Sequence, residues 1–201
     1  NKILAFMLCI TISVSICGCV NQHPDKEKMQ KKDTVENDNA STKAAVEAAR
    51  EKVEKLGRNP RIIATSPATA DICDKLNIEL AGVCSSTVST IPSRYKNVKK
   101  IGTAMSPDME IVSSVQPDWI LSPSSLRSEL QPKYEAVDTD WAFLNLKRVQ
   151  GMYQSIKELG IIFGRETEAD KLVNDFVSFY KKYKSENENK SKPKELILMG
   201  L

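Results

Sequence analysis

Met105 stands in the stretch Gly102-Thr103-Ala104-Met105-Ser106-Pro107-Asp108-Met109-Glu110-Ile111, which sets a soft thioether immediately before a helix start. Ser106 can cap that helix and Pro107 suits its first turn. A methionine held at such a junction can ligate a metal cofactor. Most methionines instead fill gaps in cores, and the residues alone leave both roles open. Met109, one helical turn on, reads as core. Ser66-Pro67 and Ser122-Pro123 repeat the Ser106-Pro107 plan, each following apolar sequence that can end a strand. In a parallel sheet, strand-to-helix turns gather at the carboxyl ends of the strands, where open α/β folds bind ligands. Helix N-termini there offer free N–H groups and a positive dipole end, which suit anions. Ser-Pro can start a helix anywhere; three pairs in matching positions favour one shared edge.

Other chemistries find little support. The single histidine, His23, lies in a charged stretch near the N-terminus. The body shows no GxSxG, no P-loop and no GxGxxG, so an enzyme is disfavoured. Cys73 and Cys84 form no CxxC and have no histidine nearby, which argues against zinc. They read as small buried apolar side chains, with one disulfide as the lesser option. Lys and Arg total 29 against 26 Asp and Glu, a formal net charge of +3 spread along the chain. No dense basic block is interleaved with aromatics, so nucleic acid is not an expected partner.

The elements that must position Met105 begin with an address. Lys2 precedes an uncharged apolar run over residues 3–16, and Ile16-Cys17-Gly18-Cys19 follows. This order resembles the lipobox of bacterial lipoproteins. It implies a signal peptide over 1–18, cleavage before Cys19, and a diacylglyceryl group on that thiol. Two acyl chains suffice for stable attachment. The competing reading is a membrane-spanning helix reaching Val20; either way the body is held outside the cytoplasm. Residues 19–59 read as a lipidated stalk, polar and without aromatics, whose first half is disordered. A weakly packing helix over 41–56, ended by Gly57, is the exception, and it reads as solvated.

The body then alternates short apolar strands with helices. Strands are expected at 62–65, 80–84, ending at 101, at 119–121 and at 141–144; Trp119 and Trp141 read as strand core. Helices are expected from Ser66-Pro67 to 76, from Pro107, and near 126–137. This pattern gives a parallel sheet covered on both faces. Val149, Met152, Ile156, Leu159 and Phe163 form one helical stripe, broken by Gly164. Thr167 and Asp170 suggest a capping box, and a long helix follows, with a stripe from Ala169 to Tyr183. Leu196-Ile197-Leu198-Met199 starts a further strand. A buried strand needs neighbours on both edges, so the chain is expected to stop at the start of a second lobe, with a domain plan of 60–147, 148–190 and 194–201.

The segments PRIIATSPATADICDKLNIELAGV, IPSRYKNVKKIGTAMSPDMEIVSSVQPDWIL, AFLNL and SIKELGIIFGRETEADKLV resemble the haem-binding lipoproteins of iron-regulated haem uptake. These belong to the helical-backbone group of ABC-transporter substrate-binding proteins. GTAMSPDME is the most specific part; the rest is shared with siderophore and cobalamin binders. The resemblance implies two α/β lobes joined by one long helix, with ligand in the cleft, and a monomer. It implies haem as cargo, an ABC permease at the membrane and upstream haem-donating surface proteins as partners. The expected location is the outer face of the bacterial cytoplasmic membrane. It also implies a methionine from the first lobe and a histidine from the second on haem iron. Met105 matches the methionine; no residue here matches the histidine. Haem further needs an apolar slot and donors for its propionates. The N–H groups around Ser66, Ala68 and Thr69 suit a propionate, and Arg94, Tyr95 and Lys96 form a polar loop that reads as solvated, with haem contact at the cleft border as the lesser option.

Overall fold

The computed structural model describes residues 31–190, with side chains from residue 42 onward. Cys19 and the apolar run at 196–199 lie outside the described residues. The chain divides into two units, Asn1–Asn39 and Ala40–Leu201. Of the first, only the backbone that opens helix α1 (Lys31–Lys55) is described.

Within the second unit, α1 is not the solvated segment its alanines and charges suggest. Val46 is 9% exposed, and Ala49 and Val53 pack with it against the main core. These positions step by three and four, so one narrow apolar stripe suffices to dock the helix. The helix ends at Lys55, and two residues on Gly57 turns the chain away with a φ of +62°, which suits glycine. Residues before position 60 thus add to the core of the sheet.

Five parallel strands follow: β1 (Ile62–Ala64), β2 (Gly82–Ser85), β3 (Lys99–Thr103), β4 (Trp119–Pro123) and β5 (Asp140–Leu144). Their order across the sheet is β3-β2-β1-β4-β5, so β1 is central and the connections reverse direction beside it. Side chains alternate between two buried faces, as the two-residue period of a strand requires. Ile62, Ala64, Trp119 and Leu121 face one cluster; Ile63 and Ile120 face the other. Burying each large aliphatic contributes about 1.5–3 kcal/mol before entropy is counted.

The first cluster is covered by α1, α2 (Pro67–Lys75), α5 (Val149–Phe163) and α6 (Glu166–Asn187); the second by α3 (Met109–Val115) and α4 (Arg127–Tyr134). The mixed α/β class, the parallel sheet and the long helix agree with the sequence pattern. Helix α5 spans the predicted stripe and ends at Gly164 in the left-handed region, with the Arg165 N–H returning to the Gly160 carbonyl at 2.7 Å. Gly160 lets α6 approach closely, since a Cβ there would lie 2.6 Å from the Ala169 Cβ. The expected Thr167–Asp170 capping box does not form. Helix α6 begins at Glu166, with no side-chain cap from Arg165. Its stripe is buried at Ala169 and Val173 but emerges into solvent at Phe179, Tyr180 and Tyr183. Cys73 and Cys84 are free and buried, and burial pushes the Cys73 thiol up to about 12.

Candidate functional site: a recess across the strand ends

A recess of about 560 Å³ opens where β1 to β4 end, within the range of small-molecule sites. The turn after β1 supplies Ser66, Pro67 and Ala68; the end of β2 and the segment leaving it supply Ser85 through Ser89; Thr103 ends β3, with Ala104 and Met105 after it; Pro123 ends β4. Four adjacent strand ends lie three spacings of about 4.8 Å apart, so the trough runs about 14 Å across the sheet. None of its lining side chains is ionisable.

The β1–α2 turn folds as the sequence predicts. Ser66 is the N-cap in extended geometry, its Oγ accepts the Thr69 N–H at 3.1 Å, and Pro67 occupies the first turn. The Ser66 and Thr69 hydroxyls also share a 2.8 Å hydrogen bond. Thr69 is wholly buried and supports Ser66 from behind rather than lining the recess.

The other two Ser-Pro pairs depart from the expectation. Helix α3 is capped by Asp108, whose Oδ1 accepts the N–H groups of Glu110 and Ile111 at 3.0 and 3.1 Å. A carboxylate at a helix N-terminus is among the best caps, and it leaves Ser106 and Pro107 outside the helix. Pro107 instead forms an antiparallel bridge with Gly102. Ser122 and Pro123 are the end of β4, followed by a 3-10 turn at Ser124–Leu126 and then α4. Ser122 is fully buried. Its hydroxyl links Thr65 Oγ1 at 2.7 Å and Tyr134 OH at 2.8 Å, tying β1, β4 and α4 together beneath the recess.

Met105 sits at the tip of a pinned loop. The Asp108 N–H donates to the Ile101 carbonyl at 2.8 Å, and the Ser106 N–H to Thr103 Oγ1 at 3.2 Å. Gly102 has φ +92°, and a Cβ there would lie 2.8 Å from the Ser106 carbonyl oxygen. Only glycine fits that close approach. The Met105 side chain is 68% exposed, so it is not a core filler.

Arg94 and Tyr95 do not border the recess. They belong to a 3-10 turn, Ser93–Tyr95, at the amino ends of the strands. Arg94 donates to Asn77 Oδ1 at 2.7 Å and pairs with Glu79. Tyr95 is fully buried, its hydroxyl donating to the Ile78 carbonyl at 2.6 Å, and burial raises its pKa. The polar sequence around them marks a loop, but one anchored to the opposite edge. Sequence reasoning passed over Ser85 to Ser89. The strand-end rule, applied after residue 84 as it was after 65, 101 and 121, finds them.

The periplasmic binding protein family matches residues 62–201. The chain belongs to that family, whose members are extracytoplasmic substrate-binding proteins associated with membrane transporters. Among its relatives is the high-affinity heme uptake system protein IsdE of Staphylococcus aureus (strain Newman), 38% identical over 144 residues, which are 70% of this chain and 48% of IsdE. The crystal structure of S. aureus IsdE complexed with heme superimposes with a TM-score of 0.63 at 32% identity, over 67% of this chain and 52% of that one. An ABC transporter substrate-binding protein from Listeria monocytogenes EGD-e gives 0.64 at 38% identity, over 68% and 52%. The siderophore-binding protein BauB gives 0.59 at 21% identity, over 66% and 50%, a likeness of fold alone. The chain spans about half the length of the curated relatives it matches. Among the described residues, no helix is long and apolar enough to cross a membrane.

Proposed function

We propose that this chain is the first lobe of a haem-binding protein that hands haem to an ABC importer. The observation that carries the reading is Met105, exposed on a pinned tip beside an uncharged recess, in a chain 38% identical to a haem uptake protein. A thioether is a known axial donor to haem iron. A loop held by Gly102, Thr103 and Asp108 fixes that donor before ligand arrives, which lowers the entropic cost of binding. The apolar wall suits a porphyrin face. The Ser66 turn, at the N-terminus of α2, lines the same recess, and the positive end of a helix suits a propionate. An anionic ferric siderophore finds no cationic side chain on this wall.

A second lobe closes the recess from the other side and supplies the opposite axial ligand. Helix α6 bridges the two, its exposed Phe179, Tyr180 and Tyr183 lying on the stretch that leads toward that lobe. Cys19 carries the lipid that holds the protein at the outer face of the cytoplasmic membrane, near its permease and the surface proteins that deliver haem. An N-terminal mass without diacylglycerol on Cys19 would overturn the anchor.

The test is a haemin titration followed by visible absorption. The protein carrying both lobes should give a six-coordinate low-spin spectrum, and Met105→Ala should lose it. The 201-residue chain alone should bind more weakly and without that spectrum. Identical spectra and affinities for the native protein and Met105→Ala, or tight binding of a ferric siderophore in place of haem, overturn the reading.

A further inference from the structure

Met105 is not the sole apolar side chain held out over the recess. Among the described residues, apart from the α6 stripe and Val149 at the start of α5, the exposed large hydrophobic side chains are Met105 and Val88, and both line the recess. Val88 is 93% exposed, more than any other large hydrophobic side chain among the described residues. Its position is fixed by the chain: Ser86 Oγ accepts the N–H groups of Val88 at 3.3 Å and of Ser89 at 3.0 Å. Met105 is held the same way, with Thr103 Oγ1 accepting the Ser106 N–H at 3.2 Å. Each tip thus follows, two positions on, a hydroxyl residue that ties down the turn. The β2 tip lies between the β3 tip and the β1 turn, because the sheet order is β3-β2-β1.

We propose that Val88 is a specificity-determining residue that packs against the face of the bound macrocycle, next to the thioether that reaches its metal. This rests on the haem reading above and adds a contact that does not depend on the metal. A valine that stays in water gains nothing from being held. Laid against a flat apolar ligand, its methyl groups leave water, and β-branching keeps its rotamers few, so little side-chain entropy is lost. The absence of any charged side chain on the wall makes this contact a filter: ligands with polar or charged faces meet an unsatisfying surface at the trough's centre.

The experiment compares Val88→Asp and Val88→Leu with the native protein, using haemin and iron-free protoporphyrin IX as probes. It is run on the 201-residue chain and on the protein with both lobes. Val88→Asp should weaken both probes by about tenfold or more, since a carboxylate facing an apolar plane loses hydration without a partner. Val88→Leu should stay within about threefold of native, a volume change of one methylene. Met105→Ala should weaken haemin and spare protoporphyrin IX. Unchanged affinity of Val88→Asp for both probes overturns the proposal. So does a loss confined to haemin, which would place Val88 with the metal, or a loss confined to the protein with both lobes, which would place it in lobe closure. Failure of the native protein to bind haemin at all sinks the haem reading instead, a result distinct from each of these.

Discussion

The two ends of the sheet are built from different chemistry. At the amino ends, charge and hydrogen bonding close the structure. Arg58 grips Asp118 through both nitrogens at 2.8 and 2.9 Å, and the Arg61 N–H adds a third bond at 2.7 Å. Lys52 reaches Asp140, and Arg94 pairs with Glu79. The Tyr95 hydroxyl caps the Ile78 carbonyl at 2.6 Å. Even the cleft at this end is bordered by Lys52, Asp118, Asp138 and Asp140. At the carboxyl ends the recess has no ionisable lining, and the hydroxyls of Ser66, Ser86 and Thr103 in its wall are tied to backbone or to another hydroxyl. The contrast teaches where each kind of group is useful. Ion pairs fasten segments that need no ligand; a site for a flat apolar ligand works best where no fixed charge must be desolvated.

Four substitutions test whether the ends are separable. Tyr95→Ala should be the most damaging, costing about 3–5 kcal/mol, the range for truncating a buried aromatic. Urea unfolding measures it, and the folded fraction should keep its haem spectrum; a changed spectrum would show that the ends are coupled. Gly102→Ala should cost about 1–3 kcal/mol, because a strained left-handed residue would also press a Cβ on backbone atoms. It should alter stability and haem spectrum together, since the same loop carries Met105. Asp118→Asn should cost about 1 kcal/mol and leave haem binding alone. Its signature is in acid: hydrogen bonding from Arg58 holds the Asp118 carboxyl below its ordinary 3.8. A lowered folded-state pKa gives stability that is complete above 3.8 and lost as pH falls through the lowered value. Thermal melts between pH 6 and roughly pH 3 should therefore fall less steeply for Asp118→Asn. Met105→Ala, at an exposed tip, should change stability by less than about 0.5 kcal/mol while it removes the low-spin spectrum. A large loss of stability there would return Met105 to a structural role.

The sequence carries the sheet clearly because each strand is a short apolar run buried on both faces, and α5 because its stripe is uninterrupted. The Ser66-Pro67 turn is legible for a local reason: its cap competes with nothing. Ser106-Pro107 and Ser122-Pro123 show the limit of the same signal. Asp108, two residues beyond Ser106, is a stronger acceptor and takes the helix start. Ser122 is drawn into the core, where Thr65 and Tyr134 need a hydroxyl between them. That demand arises from residues 57 and 12 positions away and leaves no local trace. Arg94 and Tyr95 mislead in the opposite sense, since their polar neighbours hide a tyrosine that is wholly buried. Met105 was legible as a candidate from its place before a helix, but what pins it is Gly102, whose positive φ a sequence does not display.

The strand order also sets a timetable. Strands β1, β2 and β3 pair between near neighbours in the chain, whereas β4 must return to the open side of β1, Ser122 meeting Thr65 from 57 residues away. Loop closure of that length costs only slightly more than a short one, because the penalty grows with the logarithm of length. Yet it comes last as the chain lengthens from its N-terminus. Until residue 123 has arrived, β1 is an unpaired edge with both faces apolar, the kind of surface that aggregates or recruits a chaperone. The ligand trough, which needs both Ser66 and Pro123, is complete only when that hazard ends.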